Sequence, residues 1–123
     1  MNALPKVLLV DDDPAVRGAL KFALELDGYS VETFSTAEAL AGRERFPERG
    51  CLVLGHRLPG MGGLDLLQTL RERRVRLPAI LVATHPDRAL RRRAETAGVS
   101  VLEKPLLCDA LSRQVRALTA EAA

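Results

Sequence analysis

The sequence predicts an α/β domain built on a parallel sheet, and two features carry that prediction. Short apolar runs alternate with longer segments of helical period, and the alternation repeats five times along the chain. The runs "VLLV", "CLVL" and "AILV" are apolar throughout, as central strands are when helices cover both faces of a sheet.

Taken in order, strands are expected at Lys6–Val10, Ser30–Phe34, Cys51–Leu54, Ala79–Val82 and Ser100–Leu102. The first helix should open after "DDDP" with Pro14 in its first turn, where the missing N–H costs nothing, and stop at Gly28. In "STAE", Ser35 is placed to cap the second helix and Glu38, three residues on, to complete a capping box. The third helix is expected from Gly63 to Arg74, with Leu64, Leu67 and Leu70 on one side. The fourth should start near Pro86 and end at Ala97 and Gly98, and the fifth should cover Asp109 to Leu118. The last residues, "TAEAA", have the composition of a frayed end.

The length of 123 residues suits one compact core, so a single domain over residues 1–123 is expected, with no output domain in this chain. Acidic residues (16) nearly balance basic ones (18), and aromatics are 3% of the chain. The arginine runs "RERRVR" and "RRR" are therefore read as solvated helix faces, since no stacking platform for nucleic acid can be assembled beside them. Cys51 lies in an apolar run and Cys108 opens a late helix; neither has metal-site or redox-pair spacing, and both are read as reduced thiols. No apolar stretch is long enough to span a bilayer, and the N-terminus lacks a signal peptide's basic start, so a cytoplasmic location is expected.

In an open parallel sheet, ligands gather beyond the carboxyl ends of the strands. The residues to watch are Asp11, Asp12 and Asp13 after the first strand, and Gly55, His56 and Arg57 after the third. After the fourth come Ala83, Thr84 and His85, and after the fifth Glu103 and Lys104 before Pro105.

With "VLLVDDDPAVRGAL", "LPGMGGLDLL", "LPAILVATHPD", "AETAGV" and "VLEKPL" in that order and spacing, the chain resembles the receiver domain of two-component response regulators over nearly its whole length. The resemblance implies a flavodoxin-like fold of five parallel strands in the order 2-1-3-4-5 with five helices. It also implies chemistry: a phosphoryl group passes from a histidine kinase to an aspartate at the end of the third strand. Mg²⁺, a lysine after the fifth strand and a hydroxyl after the fourth would hold it there.

Carried over position by position, Asp11 and Asp12 match the acidic pair, with Asp12 the better candidate for direct metal contact, and Lys104 matches the lysine. The phosphoacceptor position, four before Pro59, is Gly55; the switch hydroxyl position, five after Pro78, is Ala83, with Thr84 one step late. The position of the switch aromatic, three before Lys104, is Val101. Arg57, Thr84 and His85 are expected at the pocket rim. Asp65 and Asp13 are conceivable substitute acceptors, but one belongs to the third helix and the other starts the first. His56 and His85 sit on loops near the pocket and are read as residues that hold no transition metal.

Acceptor, hydroxyl and aromatic are thus missing together, and a phosphorylation-independent receiver acting as a protein interaction module is the favoured reading. No cofactor is then required, and Mg²⁺ held by Asp11 and Asp12 is weak at best, because Lys104, joined by Arg57, is expected to neutralise them instead. The partner would be a histidine kinase or a regulator or effector domain, drawn by Arg88, Arg91, Arg92 and Arg93 of the fourth helix; pairing of two copies is compatible with such a domain. Two alternatives compete. One is a phosphohydrolase-like enzyme using Asp11 and Asp13 in a D-x-D arrangement with Thr84 and Lys104 as phosphate anchors. The other is a receiver-like inhibitor that occupies a histidine kinase's docking surface.

Overall fold

The structure is a computed structural model that describes residues 5–104 and 110–121. Five strands, β1 (Lys6–Val10), β2 (Ser30–Phe34), β3 (Gly50–Gly55), β4 (Ala79–Ala83) and β5 (Ser100–Glu103), form one parallel sheet in the order β2-β1-β3-β4-β5. The helices are α1 (Pro14–Leu26), α2 (Ala37–Ala41), α3 (Gly63–Glu72), α4 (Arg88–Ala97) and α5 (Ala110–Glu121). The fold class and strand order are those the resemblance implies.

The strands are apolar throughout because each face of the sheet has its own core. Leu8, Val10, Leu52, Leu54 and Leu81 point to one side and meet Leu40, Leu66, Leu67, Leu70 and Leu90 of α2, α3 and α4. Val7, Leu9, Val53, Ile80 and Val82 point to the other and meet Leu24 of α1 with Leu111 and Val115 of α5. Side chains alternate along a strand, so both alternating sets must be apolar when both faces are covered. Cys51 belongs to the second core, and burial pushes its thiol up to about 12, which makes it an inert packing residue. Cys108, Pro105 and Asp109 lie outside the described residues.

Several element ends differ from expectation. Thr36, not Ser35, caps α2: its backbone is extended and its Oγ1 accepts from the Ala39 N–H at 3.1 Å. With the cap moved by one residue, Glu38 stands one place too early for a capping box, and its carboxylate instead accepts from the Met61 N–H at 3.3 Å. Helix α3 stops at Glu72 because Arg74 turns into the left-handed region (φ 65°) and the Val75 N–H bonds back to Leu70 O at 2.9 Å. Helix α4 begins after Asp87, whose Oδ1 accepts from the Leu90 N–H at 2.7 Å, and ends on left-handed Gly98. Helix α5 runs on to Glu121, past the expected Leu118.

The strands also extend further at the sheet's carboxyl edge. The His56 N–H donates to Val82 O at 2.9 Å and the Lys104 N–H to Ala83 O at 2.8 Å, so the ladder carries Gly55, Ala83 and Glu103 into β3, β4 and β5. Candidate residues assigned to loops are therefore held in the rigid sheet.

Candidate functional site

The centre of the carboxyl edge is Asp11, the residue after β1, only 1% exposed despite its charge. Such burial requires partners, and the carboxylate has two. Oδ2 accepts from Lys104 Nζ at 2.9 Å, across 93 residues of chain, and Oδ1 accepts from the Asp13 N–H at 2.9 Å. The Arg17 guanidinium of α1 donates to the Asp11 carbonyl at 2.7 Å, a contact that sequence reasoning missed. Its only signal was a cation one helical turn into α1.

Gly55 ends β3, beside β1 in the sheet. A Cβ built on it would lie 3.7 Å from Asp11 Oδ2, 3.4 Å from Val10 O and 3.2 Å from Leu58 Cδ2. A side chain at this position would therefore start next to the Asp11 carboxylate. Leu58 is 9% exposed and belongs to the core of the α2–α4 side; its packing against Gly55 could not be read from spacing.

Gly63 makes this arrangement possible. A Cβ there would fall 2.2 Å from Gly55 O and 2.8 Å from Leu81 Cδ1, so only a glycine lets the start of α3 close on the end of β3. The Gly63 N–H donates to His56 O at 3.1 Å and ties the loop shut.

The remaining candidates spread around this centre. Asp12 is exposed and makes no ion pair among the described residues, so the expected joint neutralisation of Asp11 and Asp12 is corrected: Lys104 serves Asp11 alone. Arg57 is exposed and takes no part in that pair. Asp13 caps α1, its Oδ1 accepting from the Ala15 N–H at 2.9 Å, and Asp65 sits exposed in the first turn of α3, 3.8 Å from Arg93. Neither is paired with Lys104. Ala83 is buried at the end of β4, with its carbonyl held by the Lys104 N–H, and Val101 packs half-buried on the α2–α4 core. Thr84 and His85 are exposed, with His85 in the left-handed region at φ 51°.

His56 is half-buried, and its Nδ1 has no hydrogen-bond partner among the described residues. Burial, and then the positive charges of Arg57 and Arg93, hold its pKa below the ordinary histidine value. Among the described residues, no three His, Cys, Asp or Glu side chains come together as a metal site.

Of the α4 arginines, Arg91 lies 3.6 Å from Glu103 and Arg93 3.8 Å from Asp65, both exposed pairs. Arg88 and Arg92 make no ion pair among the described residues. No helix of the described residues is long and apolar enough to cross a membrane.

Comparison with known proteins agrees with this architecture. Residues 7–116 match the family model described as the response regulator receiver domain. The chain is 40% identical over 116 residues to the C4-dicarboxylate transport transcriptional regulatory protein DctD of Pseudomonas aeruginosa, covering 94% of this chain and 25% of that one. It is 38% identical over 117 residues to the transcriptional regulatory protein FixJ of Azorhizobium caulinodans, covering 94% and 55%. The chain thus spans between a quarter and a little over half of these relatives. Among solved structures, the response regulator StyR superposes with a TM-score of 0.88 at 35% identity over 98% of this chain and 61% of that one. Full-length FixJ from B. japonicum gives 0.84 at 29% identity, over 98% and 60%. With the fold, the acid–lysine centre and these matches in agreement, the chain belongs to the receiver-domain family of response regulators.

Proposed function

We propose that this receiver domain works without being phosphorylated, as a protein interaction module in two-component signalling. The observation that carries the reading is the geometry at Gly55. Its position faces Asp11 Oδ2 at 3.7 Å, where the family's acceptor would stand, and it offers no carboxylate there. The Leu58 Cδ2 methyl lies 3.2 Å from that same point. Lys104, the cation that would otherwise meet a phosphoryl group, is already paired with Asp11. Ala83 and Val101 supply neither a hydroxyl nor an aromatic ring to sense a change there.

Mg²⁺ binding is weak in this reading, because the donor set fits the ion poorly. Both oxygens of Asp11 are engaged, Asp12 is exposed and Gly55 contributes nothing. Mg²⁺ demands near-octahedral oxygen ligation and gives up its waters reluctantly. The buried Asp11 charge is instead balanced by Lys104, so it needs no metal ion for its neutralisation.

The test is incubation with acetyl phosphate and Mg²⁺ followed by intact-mass measurement, with Gly55→Asp as the comparison. No phosphoryl adduct is expected on the parent chain. A stable adduct on it overturns the proposal.

A second reading, in which the domain occupies a histidine kinase's docking surface, is favoured by one observation. Phe22 and Leu26 stand one turn apart on α1, 65% and 71% exposed. Co-purification with a histidine kinase, lost on Phe22→Glu, separates this reading from docking on α4.

A further inference from the structure

We infer that the trough between α3 and α4 is a docking site for an acidic amphipathic helix of a partner protein. The inference rests on the reading of the chain as an interaction module. Leu64, Leu67 and Ala97 form an apolar floor, and Arg71, Arg92 and Arg93 rim a cavity of about 500 Å³. None of Asp11, Gly55, Ala83 and Lys104 lines it, so the trough is separate from the acid–lysine centre.

Its shape and charge define the occupant. From Leu64 to Arg71 the trough follows α3 over seven residue steps, about 10 Å at 1.5 Å per residue, or two helical turns. The trough is open to solvent along its length, so a small molecule would leave much of its surface in water, whereas a helix laid in it buries a stripe of side chains. The apolar floor favours a leucine-like anchor over a nucleic-acid backbone.

The three cations are not held by buried carboxylates. Arg92 has no ion pair among the described residues, and Arg93 reaches Asp65 only at 3.8 Å with both side chains more than half exposed. Arg71 is half-buried and its Nη1 is fixed by Val75 O at 2.8 Å, which presets the guanidinium at the lower end of the trough. Guanidinium forks placed around an apolar floor suit carboxylates flanking an apolar anchor.

The probe is a blocked synthetic peptide with glutamates and leucines at helical spacing, titrated into the isotope-labelled chain without any phosphoryl donor and followed by amide NMR shifts. Shifts are expected along α3 and α4 alone, and Arg92→Glu, whose fold is checked by circular dichroism, is expected to weaken binding about tenfold. A peptide with glutamine for every glutamate should bind correspondingly less well.

The proposal is overturned by the absence of any shift up to about 1 mM peptide, or by equal binding of the glutamine peptide. Shifts confined to α1 overturn it, as does displacement of the peptide by a single-stranded oligonucleotide, or sedimentation showing that a second copy of the chain fills the trough. The two proposals fail separately: a phosphoryl adduct on the parent chain with intact peptide binding ends phosphorylation independence and leaves the docking site standing.

Discussion

Gly55→Asp restores a carboxylate at the centre of the pocket, and the contacts around it fix the size of the effect. The backbone at Gly55 is outside the left-handed region, so an L side chain fits without strain, and losing glycine's freedom in the unfolded chain stabilises by about 0.4–1 kcal/mol. The new Cβ meets Leu58 Cδ2 at 3.2 Å, the far end of a side chain that can yield by a few tenths of an ångström. The decisive contribution is charge. The introduced carboxylate sits near Asp11 Oδ2, 3.7 Å from its own Cβ, and like charges about 4 Å apart repel by about 4 kcal/mol at an effective dielectric of 20. Lys104, 2.9 Å from Asp11, offsets roughly half of that.

Without metal the variant should therefore lose about 1–2 kcal/mol, or about 4–8 °C in Tm for a domain of this size. Mg²⁺ at about 100 times its dissociation constant should return about 2.7 kcal/mol. Thermal unfolding by circular dichroism, in chelator and in excess Mg²⁺, measures both arms. The parent chain should show no Mg²⁺ shift. A parent shift as large as the variant's, or a variant indifferent to chelator, refutes the charge argument.

Neighbouring contacts give three further outcomes. Lys104→Met leaves the buried Asp11 carboxylate without its counter-charge and should cost about 2–3 kcal/mol in urea unfolding, below the fully buried range because the Lys104 side chain is 26% exposed; adding Asp11→Asn should recover most of it. Gly63→Ala drives a methyl to 2.2 Å from Gly55 O and should destabilise by about 2–3 kcal/mol, whereas a Cβ at Gly18 meets nothing within 4 Å, so Gly18→Ala should stabilise by about 0.5–1 kcal/mol. His56 has a pKa below the ordinary 6.5, so the unfolded chain takes up its proton first as pH falls. Its contribution is complete above about pH 6.5 and is lost as pH drops towards the folded value; His56→Gln should flatten the dependence of unfolding free energy on pH in that window.

Much of the architecture is legible in the order of residues because it depends on local pattern. The apolar runs at β1, β3 and β4 announce a sheet covered on both faces, and both cores are there. Pro14 marks a helix start through its fixed backbone angle and Gly98 a helix end through its freedom to turn left-handed, and both mark them correctly. Asp11 and Lys104 are legible as partners only through the order of elements, since 93 residues separate them and parallel pairing of β1, β3, β4 and β5 brings them together.

Tertiary packing alone decided the rest. Ser35 and Thr36 are both competent caps, and the choice of Thr36 depends on where β2 delivers the chain to α2. Asp11 and Asp12 are adjacent and chemically identical, yet one turns inward to Lys104 and the other outward to water, because successive side chains at a strand's end face opposite ways. The packing of Leu58 against Gly55, the need for glycine at Gly63 and the trough between α3 and α4 are distances between segments far apart in the chain. A sequence pattern encodes which face a residue prefers. How closely two faces approach emerges only when all of them are packed at once.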